Sequence, residues 1–309
     1  MIEHFAMARC LSFHASYRCR SSGACCSAGW TIPFAGDELA EVRRLELSRS
    51  AFVPLPDGGA AAAVRNGACT FLEDDTRLCE IHRIGGQRRL PLTCRMFPRL
   101  ILHDARGTFV TLSHFCPTAA SLLFEPGPPP SIVDAPDSLM DIGPLDGLDA
   151  REVWPPLLRG GMLTDLESYE VWEGLAVEIL TRDRVRPRES LAALAAATAR
   201  IAQWSPGDGS PLLDEVHAAF ADLAPATTAL DATDAGVKRW LAARLFGSWI
   251  AYQGRGLSTL VRYLRACLDA FELELARDGD ALQAIRRCDR LIVHEASSQR
   301  LATLLDDRT

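Results

Sequence analysis

Residues 17–26 read Tyr17-Arg18-Cys19-Arg20-Ser21-Ser22-Gly23-Ala24-Cys25-Cys26, with three thiols inside eight positions. Four more follow at wide intervals: Cys69, Cys79, Cys94 and Cys116. The gaps from Cys19 to Cys116 are five residues, none, 42, nine, 14 and 21. With Cys10 included, eight of the ten cysteines fall in the first 116 residues, and only Cys267 and Cys288 lie beyond. Thiols this dense are either cross-linked or bound to metal, and the compartment decides which. At the N-terminus Glu3, His4 and Arg9 interrupt any apolar stretch that a secretory signal would need. No segment approaches the ~18–20 apolar residues that span a bilayer. The sequence therefore predicts a cytoplasmic chain with no membrane partner. Thiols there stay reduced, and metal thiolates outweigh disulfides.

Outward from the cysteines the chain divides into three predicted parts. Residues 1–124 form an irregular cysteine-rich, metal-binding N-terminal domain, in which ligand geometry dominates local structure. Within it, residues 37–49 read as a helix with Asp37 as its cap. Residues 99–103 and 108–113 read as a β-hairpin around Asp104–Gly107. Residues 125–131, Glu-Pro-Gly-Pro-Pro-Pro-Ser, cannot continue a helix and open an irregular connector over 125–160. Residues 161–309 show helical periodicity. Leu166, Tyr169, Trp172, Ala176 and Ile179 share one face of a helix capped by Thr164. Further helices are predicted over 189–204, 211–223 (opening on Pro211), 234–252, 257–277 and 280–305. The predicted fold class is mainly α: the cysteine-rich domain with its small hairpin, followed by a helical bundle.

Composition supports a globular protein, since 48% apolar residues in 309 suffice for a sizeable core without cross-links. Charge is uneven. Residues 1–120 carry 14 Arg against 11 Asp and Glu; residues 121–309 carry 19 Lys and Arg against 29 Asp and Glu. The net −7 argues against sequence-independent nucleic-acid binding, which rests on phosphate contacts.

The candidate metal ligands are Cys19, Cys25, Cys26, Cys69, Cys79, Cys94 and Cys116. No Cys-x2-Cys pair occurs, so several loops must converge to supply four thiolates. Cys25 and Cys26 are adjacent, and adjacent side chains point apart. A cluster with separated corners accommodates them better than a single zinc ion does. Arg18, Arg20, Arg83, Arg88, Arg89, Arg95 and Arg99 flank the thiols and would offset thiolate charge. His82 and His114 are secondary ligand candidates; Tyr17 and Trp30 read as packing residues. Cys10 reads as a buried small hydrophobe and Cys267 as core. Cys288, between Arg287 and Asp289, is not a ligand, and its replacement by Ser is expected to be nearly neutral. No dinucleotide fingerprint, phosphate-binding loop, nucleophile elbow or Cys-x3-Cys-x2-Cys radical motif is present.

Cys25-Cys26-Ser-Ala-Gly29-Trp30-Thr-Ile32 resembles the Cys-Cys-x-Gly-Trp-x-Ile opening of the flagellin lysine N-methylase (FliB) family, with one extra residue before the glycine. Cys69-Thr-Phe71-Leu72, Leu78-Cys79-Glu-Ile81, Leu90-Pro-Leu-Thr93-Cys94-Arg95-Met-Phe97-Pro98-Arg99 and Leu112-Ser-His-Phe-Cys116-Pro117-Thr-Ala119-Ala120 resemble its later blocks, in order. The pattern is also similar to the wider YkgJ-type group of zinc- or iron-chelating cysteine-cluster proteins. That group reads Cys-x2-Cys-Gly-x-Cys-Cys here, and Ser22 stands where its second cysteine would be. The resemblance covers roughly residues 15–124. It implies a 4Fe–4S cluster, or zinc as the alternative. It also implies methyl transfer from S-adenosylmethionine to lysines of flagellin or another lysine-bearing protein. Two function classes stand: a protein lysine N-methyltransferase, and a non-catalytic metal-binding or redox-sensing protein.

Overall fold

The structure, a computed structural model, describes residues 8–47, 52–56, 58–141, 145–221, 230–297, 300, 301, 303 and 305. At its centre is a five-stranded sheet of β1 (Arg9–Leu11), β2 (Arg99–Asp104), β3 (Gly107–Leu112), β4 (Ile132–Asp134) and β5 (Leu148–Asp149), in the order β5-β2-β3-β1-β4. The expected hairpin is β2–β3, with Arg99 opposite Leu112 and Asp104 opposite Gly107. β1 runs parallel to β3 and antiparallel to β4, and β5 runs parallel to β2. Segment 125–160, expected to be irregular, therefore contributes two strands to this sheet, and a third, Leu157–Arg159, pairs in a separate two-stranded sheet. Their extended form comes from the edges they pair with, which a local pattern does not encode.

Alternation along the strands sorts the sheet into two apolar faces. Leu11, Leu102 and Phe109 point to one face and join the main core with the helices. Cys10, Ile101, Val110 and Leu112 point to the other, where Tyr17, Cys116, Leu122 and Leu139 cover them.

The bundle comprises α1 (Leu166–Thr181), α2 (Pro187–Ile201), α3 (Leu212–Ala221), α4 (Ala232–Leu245), α5 (Leu257–Asp278) and α6 (Ala281–Asp289). These are the six expected helices, with ends shifted by local chemistry. Asp165, not Thr164, caps α1 by accepting from Ser168 N–H at 2.8 Å; the Thr164 hydroxyl instead meets Pro156 O. Asp231 caps α4 three residues ahead of the expected start. That helix stops at Leu245 because Phe246 turns inward onto Phe109, leaving Trp249 on a separate 3-10 turn, Trp249–Tyr252. α6 gives way to a π-turn at Arg290–Glu295. Trp172 and Trp240 are fully buried at the centre of the bundle.

The cysteine-bearing stretch between β1 and β2 carries its own small core of Ile32, Phe34, Val42, Phe71 and Ile81. A short helix at Gly36–Arg43 stands where 37–49 was expected, and residues 48 and 49 lie outside the described residues. Asp37 is not its cap. Glu38 instead reaches back to the Ala35 N–H at 3.0 Å. No helix among the described residues is long and apolar enough to cross a membrane.

Candidate metal centre

Three backbone devices bring the thiols together. The first is the turn over residues 19–27. Ser21 and Gly23 both take positive φ, and Ser27 N–H closes it onto Gly23 O at 3.1 Å. A Cβ on Gly23 would lie 2.5 Å from Arg77 O, so glycine there lets the turn seat directly on the 72–79 loop. The second is pairing: Cys69 N–H donates to Cys26 O at 2.7 Å, and Leu72 bridges Cys79. The third is helix placement. Cys79 and Cys116 immediately precede the short helices Glu80–Gly85 and Pro117–Leu122, and Cys94 lies in Leu92–Met96.

All ten cysteines are free thiols. Cys25, Cys26, Cys69, Cys79 and Cys94 line a cavity of about 360 Å³. Cys19, Cys25, Cys26, Cys79, Cys94 and Cys116 line a second of about 310 Å³. Four thiols are common to both, so each of the seven candidate cysteines lines at least one of two adjoining cavities. Among the described residues, no three Cys, His, Asp or Glu side chains stand as a ready-made site for one ion.

Their electrostatics are set by burial and by hydrogen bonds among the thiols. Burial pushes Cys94 well above the ordinary thiol range. Burial also raises Cys69 to about 11, with Cys79 and Cys25 adding to it. Cys26 is raised because its thiol hydrogen-bonds to both Cys25 and Cys79. The same bonds lower its partners, Cys25 to about 7. Cys19 accepts from Ser21 N–H at 3.4 Å, and Cys116 meets the Tyr17 hydroxyl at 3.8 Å. A bound cation would replace these shared protons.

The other candidates divide. His82 lines the second cavity, together with Arg18, Arg95 and Arg99. Arg83 is paired with Glu73, Arg89 with Glu41 and Arg20 with Glu125, while Arg88 is exposed. Cys10 is buried in β1 and lines neither cavity. Cys267 is core as expected. Cys288 is core too, at 2% exposure, so the expected neutrality of Cys288→Ser is corrected to a packing penalty.

The larger cavity has a wall the sequence did not indicate. Trp30 packs against Phe97, Phe115 and His294, with ring centroids 5.6, 5.1 and 4.5 Å away. His294 comes from the π-turn after α6, and its Nε2 lies 2.7 Å from Ser113 Oγ. A lone histidine far down the chain carries no motif, so only the tertiary structure reveals its place.

His114 is not a ligand candidate in the structure. Its Nε2 meets His14 Nε2 at 3.1 Å, and its Nδ1 meets Asp289 at 3.2 Å, all fully buried. Burial, then the neighbouring His114 and Arg244, hold His14 well below the usual imidazole value of 6.5. A folded-state pKa below the unfolded one gives stability that is complete above about pH 6.5 and lost as the pH falls toward the folded value. The melting temperature is expected to drop between about pH 7.5 and about pH 5, and His14→Gln should flatten that slope. An unchanged slope in the variant would assign the acid sensitivity elsewhere.

Residues 18–117 match the model of a family described as "Putative zinc- or iron-chelating domain", with the signature CxxCxxCC. The match supports metal binding by the cysteine cluster. No curated protein and no solved structure matches the chain.

Proposed function

We propose that the chain is an iron–sulfur protein whose cluster, of 4Fe–4S type, is held by thiols drawn from Cys19, Cys25, Cys26, Cys69, Cys79, Cys94 and Cys116. The observation that carries this reading is that the seven thiols line two adjoining cavities that share four of them. A cluster presents iron corners over a volume, and adjacent Cys25 and Cys26 can serve different corners; one zinc ion needs four donors on a point. Arg18, Arg95 and Arg99 line the second cavity and would offset thiolate charge. When bound, the cluster would supply redox-active iron beside both cavities. Anaerobically purified protein should be brown, with about four irons and four sulfides per chain. Stoichiometric zinc without iron after anaerobic reconstitution would overturn the iron reading and leave metal binding standing.

A second reading, methyl transfer from S-adenosylmethionine to a protein lysine, is favoured by the larger cavity. Its volume suits a ligand of that size. Trp30, Phe97 and Phe71 line it, with Asp146 and Arg99 as its charged groups, and the aromatic faces with the Asp146 carboxylate suit a cationic sulfonium or ammonium group. His294, kept neutral by burial, leaves the aromatic wall uncharged. The test is metal-loaded protein with S-adenosylmethionine and flagellin from the same organism, read by mass spectrometry. An intact cluster with no S-adenosylmethionine bound and no methyl mass gained on lysine leaves the non-enzymatic metal protein.

A further inference from the structure

Buried polar side-chain atoms find hydrogen-bond partners in folded proteins, so one without a partner calls for an explanation. Among the described residues, Arg95 Nε and Ser138 Oγ are two such atoms, and both residues line the second cavity. Arg99, buried and on the same wall, ties the two residues together. Its Nη1 donates to Arg95 O at 3.2 Å, its Nη2 to Ser138 O at 3.4 Å, and its Nε to Leu139 O. Arg95 meets Glu38 through Nη2 at 3.4 Å, which leaves Nε without an acceptor. One unpartnered guanidinium N–H and one unpartnered hydroxyl are thus joined through a buried positive charge. Two exposed groups of opposite sign, Arg18 and Asp141, border the same cavity.

We infer that the second cavity binds the α-amino-acid group of a small molecule, its carboxylate on Ser138, Arg95 and Arg99 and its ammonium on Asp141. A carboxylate accepts from both unpartnered donors at once, and hydrogen bonds to an ionised acceptor are the strong ones. A buried carboxylate needs an opposite charge, which Arg99 supplies through contacts that leave its own charge in place. A simple anion would meet Asp141 as a repulsive group, whereas a zwitterion gives it a partner. Three guanidiniums against one carboxylate leave positive charge over for the thiolates. Apart from Arg99, the lining shared with the larger cavity is Leu90, Phe97 and four thiols, so the side chain that runs that way is apolar. Two sources carry this group: a free apolar amino acid, and an S-adenosyl compound whose sulfur lies in the larger cavity. In the second case the site deepens the methyl-transfer reading and rests on it.

Three probes are titrated calorimetrically into anaerobically purified wild type, Ser138→Ala and Asp141→Asn: L-methionine, S-adenosylhomocysteine, and methylthioadenosine, which lacks the amino-acid group. The metal content of each sample is measured alongside. Wild type should bind L-methionine or S-adenosylhomocysteine at least ~10-fold more tightly than methylthioadenosine. Ser138→Ala should weaken that binding about 10-fold, the worth of one hydrogen bond to a charged group. Asp141→Asn, at an exposed position, should weaken it about 2–5-fold. L-Methionine bound as tightly as S-adenosylhomocysteine, or alone, assigns a free amino acid. S-adenosylhomocysteine bound at least ~10-fold more tightly than L-methionine assigns the S-adenosyl compound. A wild type that binds neither amino-acid-bearing probe overturns the site, and so do two variants that both bind as wild type does. Methylthioadenosine bound as tightly as S-adenosylhomocysteine, with L-methionine unbound, overturns it too and leaves the methyl-transfer reading standing. Binding as expected in a sample without metal supports the site and sinks the metal-centre reading alone. Should Ser138→Ala fail to fold, Asp141→Asn and the three probes on wild type still decide.

Discussion

Cys79→Ser is expected to abolish stoichiometric metal and to leave the cysteine-bearing stretch between β1 and β2 without fixed tertiary structure. Cys79 lines both cavities, hydrogen-bonds with Cys26, and bridges Leu72 through its backbone. Around it, among the described residues, a small core of Ile32, Phe34, Val42, Ala62, Phe71 and Ile81 and the two- and three-residue strands of 33–34, 52–54 and 60–62 hold the chain in shape. A core that small needs a staple. Metal binding then becomes folding free energy, on the order of 10 kcal/mol for structural thiolate sites. Cys94→Ser should behave alike, since it too borders both cavities. Cys267→Ser and Cys288→Ser are the controls. Both lie in the bundle core and should retain metal while losing about 1–3 kcal/mol from burying a hydroxyl. Metal analysis with near-ultraviolet circular dichroism and thermal melting separates the groups. Equal tolerance of all four replacements would refute a structural metal.

Asp289→Ala is expected to destabilise the whole chain by about 3–5 kcal/mol, because it leaves a buried positive charge without its partner. Asp289 is fully buried at the end of α6. It accepts from Trp240 Nε1 of α4 at 2.8 Å and from the His114 N–H at 2.5 Å. Arg244 lies 3.9 Å away and donates to Leu112 O of β3. One carboxylate thus joins two bundle helices to the segment leading into Cys116. Arg244 and the hydrogen bonds from His114 and Trp240 hold its pKa well below the usual carboxylate range, against burial. Asp289→Asn should cost less, since the amide keeps an acceptor for Trp240. Urea unfolding of the three proteins gives the order. A smaller loss in Ala than in Asn would contradict it.

The bundle was legible because each helix exposes a stripe at 3.6-residue spacing. Of the predicted inward face, Tyr169, Trp172, Ala176 and Ile179 are buried, and Leu166, in the first turn, is half-buried. The β2–β3 hairpin was legible for the same reason, two alternating runs about a tight turn. β1, β4 and β5 were not. Each has two or three residues, too few for a period, and each is extended only through its partner. The thiols announced themselves by density, but which of them share a cavity depends on contacts such as Gly23 against Arg77. Cys288 was misjudged because charged neighbours in sequence, Arg287 and Asp289, lie on other faces of α6. His294 and Asp146 reach the cavity from segments with no signal of their own.

The placement of β1 has a consequence for the order of assembly. Cys10 faces Val110 across a parallel pair, so that contact must close a loop of about 100 residues before β4 can add on the far side. A metal joining Cys19 to Cys116 would leave only the short arms on either side of it, roughly 15 residues, to be brought together. Closure entropy grows as the logarithm of loop length, so the shortened path favours strand pairing by about 2 kcal/mol. Chains loaded with metal early should therefore complete their sheet faster than chains that acquire it late. The long, slow step in reaching the native topology then becomes a matter of metal supply during synthesis.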